Sequence, residues 1–448
     1  MDLSLSLIAQ TRPRGRAGAA PSVPVTQGPA PLAPLPGILD APDVVVLGAS
    51  ILEGGMETAE AVKPAVAAYA AAAGFTGTIH SYAEGGHKVE GAIQRHADAR
   101  ADLAGRPGPA LYVAHIGGNN ISGARPYPGG AAIFEADYAT LMDNIVSAGD
   151  RVIPLPLTKR LYGIGEAGYP NTPEDVVQGD AASEANGSKP YNAAIIHPAI
   201  AAHAPDWLDA DGTPFVDPYA MVDADPDVLG GDGIHGPGTA LVRYILARIA
   251  ARARGERATD SRAGRTFLFS PMRGNANDMV PGRVNQLPAH PDGATNNPVF
   301  HGAIDVDGRF DGFLKVRTGT FQNSTSGMDA SAYPRLAEPL FHDLAVVGDG
   351  LYIQGTQRFE MRIDGLVPGE TVQVSCCGVR TAGGTGRRGL VDLTGGQVLE
   401  LDAANTAASN QAVFDPVTVP SDGRLTLGLQ VAPGSTYAYL HGVLIAFP

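Results

Sequence analysis

Cysteine is scarce in this sequence, which excludes a fold built on disulfide bonds. Only Cys376 and Cys377 occur in 448 residues, and they are adjacent in a stretch that predicts a β-strand. Neighbouring strand residues point to opposite faces of a sheet, so a bond between these two would be strained. We expect one of the thiols in the core and the other facing outward.

Basic residues and long apolar runs are also in short supply. The 46 acidic residues outnumber the 32 basic residues and give a net charge of -14, the wrong sign for non-specific binding of nucleic acid. No apolar run approaches the roughly 18 residues that insert across a membrane. The opening MDLSLSLIAQTRPRGR lacks the basic and long apolar regions of a signal peptide, which predicts cytoplasmic synthesis.

The chain is too long for one core, and its composition changes twice. Residues 1–40 combine alternating leucines with many prolines, which predicts an extended Pro-rich arm. Residues 41–260 alternate short apolar strands with helices, which predicts an α/β domain with a parallel sheet covered on both faces. Residues 261–448 alternate apolar and polar residues between Gly, Pro and Asp turns, which predicts an antiparallel, jelly-roll-like β-sandwich.

The α/β pattern assigns five strands and five helices. We predict strands at 44–48, 77–82, 111–116, 151–157 and 214–217, and helices at 57–73, 88–104, 134–148, 189–204 and 239–254. In an open parallel sheet, ligands bind beyond the carboxyl ends of the strands. Ser50, just after the first strand, lies at that edge.

Four short blocks fall at strand ends or helix starts on this edge and should converge there. They are VVVLGASILEGG (44–55), SYAEGGHKVEG (81–91), HIGGNN (115–120) and GGDGIHGPG (230–238). A serine hydroxyl needs a base to become a nucleophile, and the base needs a group that fixes its tautomer. Asp232 and His235 offer this pair on one turn. The backbone N–H groups of Ser50 and Gly86 and the side chain of Asn119 would supply an oxyanion hole.

This set of blocks resembles the SGNH (GDSL-type) hydrolase family over residues 41–255. LGAS resembles its serine block, AEGG its glycine block, Gly117–Asn120 its third block and DGIH its Asp-x-x-His block, and PYNAAI (190–195) resembles a Tyr-Asn helix start of these enzymes. The resemblance implies a flavodoxin-like three-layer fold, hydrolysis of esters including acetyl esters on sugars, and no cofactor or metal. Ala49 and Asn120 stand where the family usually has aspartate, and the carboxylate missing at 120 predicts a less rigid loop.

Each of these residues also has a simpler structural explanation. Ser50 is a candidate turn or N-cap residue, Asp232 fits an Asx-turn, and Asn119 fits a loop-holding role. The histidines match no standard metal-ligand spacing, although His87 and His115 lie near the predicted pocket. Trp207 is a candidate sugar platform, but packing is the commoner role of a tryptophan.

Two functions follow from this reading. The first is a serine esterase acting on O-acetyl groups of a polysaccharide, with the C-terminal sandwich holding the polymer or docking a partner. The second is a non-catalytic receptor- or glycan-binding adhesin of a phage-like particle, because LSLSL…TRPRG loosely resembles the starts of structural proteins in such particles. In either case residues 1–36 are expected to attach the chain to its own oligomer or to a particle.

Overall fold

The computed structural model describes most of the chain from residue 32 onward. The described residues are 32–58, 61–122, 128–160, 187–225, 228, 238–271, 280–287, 299–319, 322–323, 339–342, 350–379, 386–394, 396–403 and 410–448. Leu32–Pro448 form one compact unit. Most of the predicted arm, residues 1–31, lies outside the described residues. No helix in the described part is both long enough and apolar enough to cross a bilayer.

A four-stranded parallel sheet forms the centre of the first part. From edge to edge its strands are β4 (Thr78–Ser81), β1 (Asp43–Gly48), β5 (Leu111–His115) and β6 (Arg151–Pro154). Every residue of β1 and β5 is buried, as expected for central strands covered on both faces. The spatial order, second-first-third-fourth along the chain, is that of a flavodoxin-like sheet. The predicted three-layer α/β fold is confirmed.

Helices cover this sheet on its two faces. They are α1 (Ser50–Met56), α2 (Pro64–Ala72), α3 (Val89–Asp102), α4 (Gly118–Ser122), α5 (Ala131–Ser147), the continuous run α6 (Ser188–Tyr191, a π-helical turn Asn192–Ile196, and His197–His203), α7 (Pro218–Ala224) and α8 (Gly238–Arg254). Helix α3 packs against α5, whereas α8 packs against α1 and α2. The predicted helix at 57–73 begins only at Pro64, because a short hairpin, β2 (Glu57–Thr58) and β3 (Ala61–Val62), occupies its first residues and separates α1 from α2.

The predicted fifth strand at 214–217 is wrong. Pro214 makes only an isolated bridge to Leu208, and a proline has no N–H with which to continue a ladder. Asp217 then caps α7, because its Oδ1 accepts the N–H groups of Tyr219 and Ala220 at 2.9 and 3.1 Å. Capping chemistry at Asp217 and Pro218 therefore starts a helix where the apolar pattern predicted a strand.

The second part is a β-sandwich, which confirms the prediction for the C-terminal region. Its strands are β7 (Thr266–Pro271), β8 (Val284–Leu287), β9 (Val299–Ile304), β10 (Phe310–Thr318), β11 (Gln322–Asn323), β12 (Leu351–Gln354), β13 (Arg358–Asp364), β14 (Thr371–Cys377), β15 (Arg388–Leu393), β16 (Val398–Asp402), β17 (Gln411–Val413), β18 (Val417–Thr418), β19 (Arg424–Val431), β20 (Tyr437–Leu440) and β21 (Gly442–Ala446). One sheet has the order β16-β15-β19-β13-β10-β9, another β17-β14-β21-β7-β8, and a small one β11-β12-β20. Only β7 and β8 pair in parallel among the described strands of this part.

Alternating apolar residues of the two large sheets share one core. Leu425, Leu427 and Leu429 of β19 pack in the same cluster as Val374 of β14 and Ile445 of β21. This is the arrangement that period-two alternation predicts when each sheet buries one face.

Both cysteines are buried, so the prediction of an outward thiol is wrong. Cys376 lies in the sandwich core, and Cys377 lies in a smaller cluster with Leu268 and Phe341 on the other face of its sheet. The segment Pro339–His342 covers that second face. Burial raises the pKa of Cys376 to about 12 and that of Cys377 well above its ordinary value, so both remain thiols at neutral pH.

The sandwich packs directly on α8. A Cβ atom on Gly312 of β10 would lie 2.4 Å from the carbonyl oxygen of Ala247, so strand and helix backbones are in close contact there. Tyr69 of α2 also donates a hydrogen bond to the carbonyl of His301 in β9. Most residues of α8 are themselves buried, so the helix belongs to the interior of the compact unit.

Residues 32–40 of the predicted arm pack on the α/β part. The N–H of Leu35 donates to the carbonyl of Ala253 at 2.8 Å, and Arg252 donates to the carbonyl of Ala33 at the same distance. Arg151 donates to the carbonyl of Pro36 at 2.9 Å, and Ile38 is buried in the core. These residues are therefore integrated into the fold.

Candidate active site

Ser50 lies at the carboxyl end of the central strand β1. The strand ends at Gly48, and Ala49 has extended backbone angles and occupies the N-cap position of α1. The carbonyl of Ala49 accepts the N–H groups of Leu52 and Glu53, both at 3.0 Å. Ser50 is thus the first helical residue, and the alternative that it serves as an N-cap does not hold.

The glycine block lies directly beside Ser50. A Cβ on Gly85 would lie 3.9 Å from the Cβ of Ser50 and 2.8 Å from Oε2 of Glu53. Only a glycine therefore fits at 85 without displacing Glu53. Gly86 has a φ of +79°, a left-handed conformation that glycine adopts without strain. No atom would lie within 4 Å of a Cβ on Gly86, so this residue borders open space.

Asn119 is tied to the same loop. Its Nδ2 donates a hydrogen bond of 2.9 Å to the carbonyl of His87, one residue after Gly86. A carbonyl can only accept, so this bond fixes which end of the amide faces which way. An amide nitrogen carries two hydrogens, and the second is available to another acceptor. The loop-holding alternative for Asn119 is therefore real, and it is compatible with the role in an oxyanion hole.

Asn120 connects the third block to helix α3. Its Oδ1 accepts the N–H of Val89 at 3.0 Å, which caps the start of α3, and its Nδ2 donates to Oε2 of Glu90 at 3.3 Å. An aspartate could accept from Val89 but would repel Glu90. The departure from the family pattern at 120 is thus accommodated by two hydrogen bonds, and the loop has anchors where we predicted less rigidity.

Sequence reasoning missed Arg160, which supports this loop from behind. The side chain of Arg160 is buried, and its guanidinium would lie 2.2 Å from a Cβ on Gly118. A single arginine after a strand gives no signal in the sequence. Gly117, with a φ of +121°, is crowded in the same way by the ring of Phe134. Two glycines therefore allow a buried ring and a buried cation to pack against the backbone of the third block.

The nearby histidines do not form a metal site. Burial, and then the charge of Arg160, lower the pKa of His115 to about 4, so His115 is neutral at pH 7. His87 is half-buried, and its Nε2 lies 3.2 Å from Oε1 of Glu84, which also pairs with Arg95. No group of three or more His, Cys, Asp or Glu side chains among the described residues could hold a metal ion. Trp207 is buried, so it packs in the interior and offers no flat face to a sugar.

Asp232 and His235 lie outside the described residues, and their predicted roles stay predictions. The next residue that the structure describes after them is Gly238, the first residue of α8. A Cβ on Gly238 would lie 2.4 Å from the carbonyl oxygen of Ile51, and one on Gly55 would lie 2.4 Å from the carbonyl oxygen of Gly238. The start of α8 thus touches α1 one residue after Ser50.

Of the predicted site residues, Ser50, Gly86 and Asn119 come together at one edge of the sheet. Strand β1 presents Ser50, the loop after β4 presents Gly86, and α4 presents Asn119 beside that loop. The arrangement offers a hydroxyl, a backbone turn bordering open space and an oriented amide. Such a group can present a nucleophile and hydrogen-bond donors to one carbonyl group.

No protein-family model matches the chain, and no curated protein does. Solved structures are similar to part of it. An acetyl xylan esterase, AlAXEase, is 14% identical, with a TM-score of 0.33 over 46% of this chain and 97% of that chain. TesA is 20% identical, with a TM-score of 0.31 over 47% and 97%. The lipase/acylhydrolase from Enterococcus faecalis is 18% identical, with a TM-score of 0.32 over 48% and 98%. At such identities the chain's own residues must carry any functional conclusion.

Proposed function

We propose that the protein is a serine esterase with Ser50 as its nucleophile. The observation that carries the proposal is the convergence of Ser50, the Gly85–Gly86 turn and Asn119 at the carboxyl edge of the parallel sheet. Ligands bind at this edge in open α/β sheets. A turn or capping role for Ser50 alone would not require the glycine and amide blocks beside it.

The position of α8 supports His235 as the base and Asp232 as its orienting partner. His235 precedes Gly238 by three residues, which span at most about 11 Å when fully extended. Since Gly238 touches Ile51, a linker of this length is short enough for the imidazole to reach Ser50, and we propose that it does so. Asp232, three residues earlier still, has the right chemistry to accept a hydrogen bond from the imidazole and fix its tautomer.

The reaction then follows two steps. Ser50 Oγ bonds to the acyl carbon while His235 takes its proton, and the resulting oxyanion accepts hydrogen bonds from Ser50 N, Gly86 N and Asn119 Nδ2. The ester C–O bond breaks, and His235 returns the proton to the leaving alcohol. A water molecule then attacks the acyl carbon while His235 takes its proton. The bond from that carbon to Ser50 Oγ breaks, His235 returns the proton to Oγ, and the acid leaves.

We propose O-acetyl groups on a polysaccharide as the substrate. The support is the sandwich joined to the α/β part and a tyrosine cluster on its small sheet. Tyr352 lies 5.8 Å from Tyr437 and 5.9 Å from Tyr439, measured between ring centroids. Tyr352 and Tyr437 are partly exposed, and aromatic faces with a polar hydroxyl suit the mixed surface of a sugar.

The test is hydrolysis of p-nitrophenyl acetate by the wild type, by Ser50→Ala and by Ser147→Ala. Ser147 is an exposed serine at the end of α5 and is the control. We expect Ser50→Ala to lose nearly all activity without a lower melting temperature, because catalysis depends on the hydroxyl and stability does not. An organophosphorus reagent should label Ser50. Substantial activity in Ser50→Ala, or a label on another residue, would refute the assignment, and an inactive wild type would favour the adhesin hypothesis.

A further inference from the structure

A cavity of about 220 Å³ lies where the α/β part meets the sandwich, away from the Ser50 edge. Helices α7 and α8 and strands β9 and β10 form its walls. The residues that matter are Met221, Tyr244, Arg248, His301, Phe313 and Lys315. Ligand pockets for drug-sized molecules are typically about 300 Å³ or larger, so this one suits a smaller ligand.

Arg248 supplies a cation that has no ion-pair partner among the described residues. Its guanidinium carbon lies 4.2 Å from the centroid of the Phe313 ring and 5.4 Å from that of Tyr244. Within the part of the chain that the structure describes, no carboxylate lies within ion-pair distance of it. A guanidinium has N–H groups that match the two oxygens of a carboxylate.

His301 forms part of the cavity wall. The residue is 6% exposed, and its Nε2 is buried without a hydrogen-bond partner among the described residues, so a ligand in the cavity does not reach that atom. Burial, and then the charges of Lys315 and Arg248, hold the pKa of His301 well below its ordinary value. The neutral imidazole adds no charge to the cavity, so the lining cations are Arg248 and Lys315.

The charge around the cavity also favours an anion. Lys315 lines it, although it already pairs with Asp225 and lies 3.5 Å from Asp364. Arg248 and Lys315 face one lining carboxylate, Asp364. This local excess of positive charge occurs in a chain with a net charge of -14.

We propose that this cavity binds a small carboxylate of the size of one sugar acid. Arg248 holds the carboxylate through N–H···O bonds. The site is separate from Ser50 and does not depend on the proposed esterase activity.

The test is calorimetric titration of the full-length Ser50→Ala chain with glucuronate, and with glucose and inorganic phosphate as comparison ligands. We expect glucuronate to bind, glucose to bind at least tenfold more weakly, and phosphate to bind more weakly than glucuronate. Arg248→Gln should weaken glucuronate at least tenfold, whereas Arg388→Gln should leave it unchanged. Arg388 is a matched control because it lies on β15 with a partly exposed side chain.

A conservative variant distinguishes a loss of binding from a loss of folding. Arg248→Lys keeps the charge but loses the planar fork, so it should reduce the preference for glucuronate over phosphate while the melting temperature stays near that of the wild type. Equal binding of glucose and glucuronate, tighter binding of phosphate, or unchanged affinity in a folded Arg248→Gln chain would each overturn the proposal. Absence of glucuronate binding would do so as well.

Discussion

At the scale of single residues, Ser50 and Asn119 depend on different kinds of support. The backbone positions Ser50, since the strand ends at Gly48 and α1 begins at Ser50 itself. Asn119 is set by its side chain, because the bond from Nδ2 to the carbonyl of His87 orients the amide. The backbone position of Ser50 does not require a particular side chain at residue 49, so alanine is tolerated there. Residue 119, in contrast, must carry a side chain that can donate a hydrogen bond.

We predict that Asn119→Ala lowers the turnover number for p-nitrophenyl acetate by about a hundredfold or more, the usual loss for one oxyanion donor. KM should change much less, because the donor acts mainly on the developing negative charge. The control is Asn144→Ala, an exposed asparagine on α5. A change in KM alone would assign Asn119 to substrate positioning, and an equal loss in both variants would indicate a general effect.

At the scale of elements, the backbones of α1 and α8 are in close contact near the candidate site. Gly55 and Gly238 each leave room for the other helix's backbone, and any Cβ at either position would meet a carbonyl oxygen at 2.4 Å. Backbone atoms cannot move aside as side chains do. The contact therefore fixes where the chain enters α8, directly after the predicted Asp232 and His235.

We predict that Gly238→Ala lowers the free energy of unfolding by about 1–3 kcal/mol, because the added Cβ overpacks the contact. Esterase activity should fall by more than the loss of folded protein accounts for. Gly54→Ala is the matched control, because nothing lies within 4 Å of a Cβ there and alanine favours a helix by about 0.5–1 kcal/mol. Urea unfolding and turnover at 25 °C check both variants. Wild-type stability in Gly238→Ala would contradict the close contact.

At the scale of the whole molecule, one buried carboxylate links the two parts. Asp225, at the end of α7, pairs with Lys315 and Arg317 of β10 and with Arg362 of β13. Burial alone would raise the pKa of Asp225, but Lys315 and the two arginines outweigh it and hold the pKa below its ordinary value. Three cations from the sandwich thus hold the segment that leads toward the predicted Asp232.

We predict that Asp225→Asn destabilises the protein by about 3–5 kcal/mol at pH 7, because buried cations lose their partner. The folded-state pKa lies below the unfolded value of about 3.9, so this contribution is complete above that pH and is lost as the pH falls through the folded-state pKa. The difference between wild type and variant in urea unfolding should therefore stay constant above about pH 4 and shrink as the pH falls toward about 2. The exposed Glu360→Gln change, which breaks a surface pair with Arg358, should cost no more than about 1 kcal/mol. A difference that is independent of pH would contradict this account.

We predict that a chain starting at Leu32 keeps full esterase activity but loses association with its oligomer or particle, because we propose that residues 1–31 of the predicted arm serve attachment. A chain starting at Ile38 should be less stable, since it loses the bonds that Ala33, Leu35 and Pro36 make to α8 and β6. Sedimentation, melting temperature and turnover of both chains check this. An unchanged assembly state of the shorter chains with partners present would contradict the attachment role.

The sequence by itself determined the fold class and the edge at which the candidate site lies. The reason is local: continuous apolar strands such as β1 and β5 need cover on both faces, and alternating strands such as β19 need it on one. The serine, glycine and asparagine blocks follow strand ends, and parallel strands bring their carboxyl ends together. Ser50, Gly86 and Asn119 could therefore be predicted to converge.

Only the tertiary structure decided what depends on residues distant in the sequence. The burial of Cys377 depends on Phe341, the burial of Arg160 depends on the glycine at 118, and the charge balance of Asp225 depends on two strands of the sandwich. The prediction of a strand at 214–217 was wrong because Asp217 caps the start of a helix, and this capping outweighed the apolar pattern. Local patterns specify elements, but burial and ion pairing are properties of the neighbours that the fold supplies.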